Sequence, residues 1–106
     1  MAWVGPLDLA GAVEAVARIL APARVRVVGL DGRRAYPYES TLAEVTVSVH
    51  LDSWSDVDHA GDLLGLDPDP HSTGQGLYSR AGDWRPGVYL SLYGPAPVAA
   101  SVAGVG

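Results

Sequence analysis

Asp67, Asp69 and His71 alternate along the chain, and Asp58, His59 and Asp62 come shortly before them. Carboxylate and imidazole together are a donor set for a divalent cation. The spacing argues against one. No second histidine stands four residues from the first, and Pro68 and Pro70 stiffen the loop between the donors. Hydrolysis is no better served, because no Gly-x-Ser-x-Gly elbow presents a serine on a strained turn. Gly74-Gln75-Gly76 lacks the third glycine and the following helix of a dinucleotide loop. With no cysteine, disulfides, thiolate zinc sites and cysteine nucleophiles are excluded. No metal, cofactor or catalytic residue is expected, and the chain reads as non-enzymatic.

The residues suited to recognising another protein are easier to name. Tyr78, Arg80, Tyr89 and Tyr93 alternate with apolar positions and are expected on the solvent face of a sheet. Tyrosine and arginine are enriched at interaction hot spots, although tyrosines also stabilise cross-strand pairs with no partner present. Trp84 and Arg85 lie in a turn-forming run, where the indole can fold back as a lid or stand out as an anchor. Asp58 and Asp62 belong to an aspartate-rich stretch from Asp52 to Asp69 with no basic residue in it. Carboxylates so spaced can imitate a phosphate run, or simply cap and solubilise a helix. Nucleic acid is not an expected partner: the net charge is −5 and the RNP consensus is missing.

These side chains must be carried by elements, and the patterning is specific about most of them. A first helix is expected from Asp8 as N-cap to about Ala21, with Leu9, Val13, Val16 and Leu20 at helical spacing and Pro22 ending it. A strand follows over 24–30, closed by the turn signal Asp31-Gly32. A long loop leads to a second strand over 42–51. There Val45, Val47, Val49 and Leu51 alternate with Glu44, Thr46, Ser48 and His50, which means one face in the core and one in water. Ser53 with Asp56, or Ser55 with Asp58, starts a second helix. Gly65 and Leu66 terminate it. A third strand is expected over 76–80, a turn over 81–87 and a last strand over 88–93.

The order αββαββ predicts an α+β domain over residues 1–93, with four antiparallel strands and both helices on one face, followed by a flexible Ala/Pro/Gly/Val tail over 94–106. Val13 to Ala21 lines up with Val57 to Gly65, and Val45 to His50 with Val88 to Tyr93, each roughly 44 residues apart. An internal αββ duplication with a pseudo-two-fold axis would produce that pattern.

With 106 residues, 48% of them hydrophobic and 18% charged, the chain is long enough for one core and too apolar for wholesale disorder. All seven basic residues are arginine, which is how a GC-rich genome writes a protein. No segment approaches the ~18 apolar residues of a membrane span, and the N-terminus lacks the basic region of a signal peptide. A cytoplasmic location is expected.

The run Tyr78-Ser79-Arg80-Ala81-Gly82-Asp83-Trp84-Arg85-Pro86-Gly87-Val88, following Leu64-Gly65-Leu66, resembles small accessory proteins encoded by phages and mobile elements of high-GC actinobacteria. The resemblance covers about the second half of the chain and carries over no catalytic residue. It implies a small non-enzymatic protein that binds and modulates a host or phage protein, in the manner of an inhibitor. The expected partner is therefore a protein, with self-association into a homodimer through an edge strand as a corollary. Two alternatives stand beside this. One is a ligand-binding or hydrolytic domain with a concave pocket lined by Tyr78, Tyr89, His50 and Arg80. The other is a structural virion component.

Overall fold

The computed structural model describes residues 5–68 and 76–96. Helix α1 is Pro6–Leu20. It begins three residues earlier than Asp8 as N-cap suggests, with Gly5 as the N-cap, because Pro6 at the first helical position already has the helical φ. Asp8 instead sits in the first turn, where its carboxylate accepts a hydrogen bond from the Gly5 N–H at 2.9 Å. A single 3-10 turn, Ala21–Ala23, follows, and Arg24 turns the chain in the left-handed region at φ 61°.

Strand β1 is Val27–Arg34. It runs straight through Asp31-Gly32, so the expected turn there is not made. The reason lies in packing. A Cβ on Gly32 would sit 2.8 Å from Val13 Cγ2 and 3.3 Å from the Leu9 carbonyl oxygen. The glycine is what lets α1 press down on the strand. Strand β2, Val45–Leu51, is the expected alternating strand. Helix α2, Trp54–Leu64, is capped by the Ser53 hydroxyl, which accepts from the Asp56 N–H at 3.2 Å. It closes on Gly65 at φ 74°.

Strand β3 is Leu77–Arg85 and β4 is Val88–Pro95. Strand β3 therefore extends through most of the expected 81–87 turn. The hairpin closes in two residues, Pro86-Gly87, with Gly87 at φ 83°. Strand β4 takes in Gly94 and Pro95, the first two residues of the expected tail. Residues 97–106 lie outside the described residues, as do Trp3, Asp69 and His71.

The sheet order is β1-β2-β4-β3. Strands β1 and β2 are antiparallel, as are β3 and β4, but β2 and β4 pair in parallel. The sheet is mixed, a correction to the all-antiparallel expectation. Burial explains it. Val47, Val49 and Leu51 on β2 and Leu90 and Leu92 on β4 are fully buried. Setting these two strands side by side makes one continuous apolar floor, while β1 and β3, rich in glycine and charge, take the edges. The α2–β3 segment supplies the long connection that a parallel pair needs.

Both helices cover the same face. Gly32, under α1, pairs with Val47, while Arg80, under α2, pairs with Leu92, on one side of the sheet. With β2 and β4 parallel, the αββ halves are then of opposite hand, and no rotation superposes them. The pseudo-two-fold axis suggested by the sequence similarity is absent from this topology.

Candidate functional site

Three regions hold the side chains with recognition chemistry. The first lies beneath α2. Arg80 is on the helix-covered face and only 8% exposed, so its expected place on the solvent face is wrong. Its Nε donates to the Leu66 carbonyl at 2.9 Å, and one terminal nitrogen donates to the same oxygen. The other donates to the Asp58 carbonyl at 3.1 Å and to Asp62 Oδ1 at 2.9 Å. Tyr78 shares this face, and its hydroxyl donates to Asp58 Oδ1. That carboxylate, aided by burial, pushes the phenol above its ordinary pKa.

Asp58 and Asp62 are therefore counter-charges for an internal arginine rather than a free acidic display. Reversing their charge would place cations beside Arg80 and test the fold before it tested any partner. Strand β3 is polar on both faces, with Ser79 and Asp83 on one and Tyr78 and Arg80 on the other. No apolar set fixes its parity, and a one-residue error exchanges the faces.

The second region is the helix-free face. Tyr89 and Tyr93 are on it, as the alternation requires, with Thr46, Ser48, His50 and Ser91 beside them. The His50 and Tyr93 rings stack with centroids 4.8 Å apart and planes 9° from parallel. Since Tyr78 and Arg80 are on the opposite face, the pocket of Tyr78, Tyr89, His50 and Arg80 does not form.

The loop 35–44 crosses one end of this face and is pinned to it. Arg33 makes a two-pronged bond to Glu39 at 2.8 and 2.6 Å, and the buried Thr46 hydroxyl donates to Glu39 at 3.1 Å. The Ser40 hydroxyl donates to Asp83 Oδ1 at 2.6 Å. The Arg33 bonds hold the Glu39 carboxyl below its ordinary pKa of 4.5. A depressed carboxylate pKa contributes stability that is present above the unfolded value and is lost as pH falls through the folded one. Glu39→Gln should cost about 1.5 kcal/mol at pH 7, and the gap from the parent should shrink below the ordinary value. Urea unfolding at pH 7 and at pH 3 checks it; a gap independent of pH would show that ionisation of Glu39 is immaterial.

The third region is a groove on the helix side, between α1 and the β3–β4 turn. Its origin is geometric. Helix α2 has 11 residues and spans about 16 Å, whereas the 9-residue β3 reaches about 30 Å. The far end of the β3–β4 hairpin is left unroofed. The resulting groove has a volume of about 560 Å³. Val45 and Val88 line it, together with Gly11, Ala12 and Ala15 of α1 and Trp84.

A β-bulge between Asp83 and Arg85 takes Trp84 out of the ladder, and bulges commonly re-aim a side chain in this way. The indole packs against the core, and the Arg85 guanidinium lies 4.1 Å over its ring. Trp84 is thus both lid and wall. Asp8 and Glu44 line the same groove; Arg85 lines its continuation along α1 together with Arg18 and Glu14, which pair with each other at 2.7 Å. Leu7, 86% exposed, stands at its mouth. The sequence singled out Trp84 and Arg85, but not Gly11, Ala12 and Ala15. The available signal was the run of small residues on one flank of α1.

No protein-family model matches this chain, and neither a curated protein nor a solved structure is similar to it beyond chance. Among the described residues no helix is long and apolar enough to cross a membrane.

Proposed function

We propose that the chain is a small protein-interaction module that takes a segment of another protein into the groove between α1 and the β3–β4 turn. The observation that carries this is the groove itself: an apolar floor beside an indole, with carboxylates at one end and Arg85 at its extension. Aromatic and arginine side chains at the rim of an apolar cleft are the usual anchors of protein recognition. The complementary segment carries an apolar side chain for the floor, a basic residue for Asp8 and Glu44, and an acidic residue for Arg85. The run 78–88 supplies the further proposal that the partner is a host or phage protein, whose activity the bound chain would modulate.

Gly11 provides a test that separates binding from folding. A Cβ there meets nothing of the protein within 4 Å, and the side chain beyond it would enter the groove that Gly11 lines. Gly11→Gln should raise stability by up to about 1 kcal/mol, because glutamine is the better helix former. It should also weaken, at least tenfold, the binding of peptides selected from a random library on the parent chain. Selected peptides that bind the variant equally well, or that lack the apolar, basic and acidic pattern, would place the recognition surface elsewhere.

A further inference from the structure

Strand β1 is an edge whose outer side is unpaired among the described residues. The other edge differs: the chain leaving α2 comes alongside β3, where Pro68 bridges Arg80. An open edge is a template for another strand, and three features of β1 specify which strand fits.

The first is the direction of its backbone groups. The Ala35 N–H donates to the Glu44 carbonyl at 3.0 Å. Hydrogen-bonded and non-bonded pairs alternate along an antiparallel ladder. Arg33 and Asp31 therefore point their amides toward β2, and Arg34, Gly32 and Leu30 point theirs outward.

The second is charge. In an antiparallel self-pairing centred on Gly32, Asp31 of each copy lies opposite Arg33 of the other, on the helix-free face. A pairing centred on Asp31 or on Arg33 would instead set like charges against each other. Arg33 is already fixed by Glu39 and is still 35% exposed, so it presents an ordered cation to a second carboxylate.

The third is space. Helix α1 lies over β1 and β2, so its axis sits about one strand spacing, ~4.8 Å, from such a two-fold. The two copies of α1 would then run roughly 10 Å apart, within the range of packed helices. The flank of α1 that turns toward β1 carries Val13 and Ala17, and Ala21 follows in the 3-10 turn. An apolar notch of about 160 Å³, lined by Ala17, Leu20, Ala21, Val25, Val27 and Leu30, opens beside the edge. Arg34 of the second copy falls opposite Leu30, where its aliphatic stem can cover the notch.

We infer that two copies of this chain associate through β1, antiparallel and centred on Gly32, to form one continuous sheet across the pair. About six backbone hydrogen bonds close the junction. This inference rests on β1 and is independent of the groove: Gly11→Gln should dimerise like the parent.

Light scattering of the full chain over a range of concentrations should show a reversible dimer. Hydrogen exchange of the Leu30, Gly32 and Arg34 amides should slow as the dimer fills. Asp31→Arg, at an exposed position, should retain the parent's circular dichroism and raise the dimer dissociation constant at least about tenfold. A strictly monomeric parent at high protein concentration overturns the inference. So does a dimer in which those three amides exchange as fast as in the monomer, or one that Asp31→Arg leaves intact.

Discussion

Arg80→Ala is expected to lower the stability of this protein by about 3 kcal/mol, the loss expected for buried charge-assisted hydrogen bonds. For a domain of this size that amounts to roughly 12–20 °C in Tm. The cost falls unevenly among the partners. Asp62 is 75% exposed at its side chain and Asp58 40%, so both carboxylates can rehydrate once the guanidinium is gone. The Leu66 carbonyl, which accepts from two guanidinium nitrogens, is left short of donors at the end of α2, beside a cavity where the side-chain stem lay. Arg80→Lys should recover only part of the loss, because a point charge cannot serve Leu66 and Asp62 at once. Urea unfolding of the three chains decides the matter; a loss below about 1 kcal/mol for the alanine chain would show that this clamp does not hold β3 to α2.

Gly61→Ala should destabilise, against the usual sign for a helix interior, where alanine is better than glycine by about 1 kcal/mol. The added Cβ would lie 2.6 Å from Arg80 Cδ and 2.7 Å from Cζ. Those atoms cannot swing aside without breaking the bonds to Leu66 and Asp62. A net loss of about 2 kcal/mol is expected, the typical cost of overpacking. In an Arg80→Ala background the obstruction is gone, and the same substitution should become neutral or stabilising. The double-mutant cycle should therefore show a coupling of about 2 kcal/mol or more. Additive effects would mean that the guanidinium does not occupy the space over Gly61.

The legible parts of the fold were those governed by neighbours in sequence. The cap at Ser53, the stop at Gly65 and the buried alternation of β2 each depend on a few adjacent residues and the period of one element. Parity failed on β3, where Tyr78 and Arg80 exchanged faces with Ser79 and Ala81, because an edge strand with polar residues on both sides has no apolar face to declare. The site was partly legible. Trp84 and Arg85 are at the groove, and Tyr89 and Tyr93 are on the uncovered face, but Asp58 and Asp62 are counter-charges to the buried Arg80. Nothing local distinguishes a surface aspartate from one that faces an arginine more than fifteen residues later.

By itself the sequence determined two amphipathic helices, the central strands and the small α+β class, since hydrophobic period and capping chemistry act over single turns. Tertiary structure decided the rest. At Asp31-Gly32 a strong local turn signal yielded to the helix above it, which needed a strand with no side chain at that point. The parallel pairing of β2 with β4 brought the most apolar strands together from distant parts of the chain. The groove exists because α2 is shorter than the sheet it covers, a mismatch between two elements that neither one encodes alone.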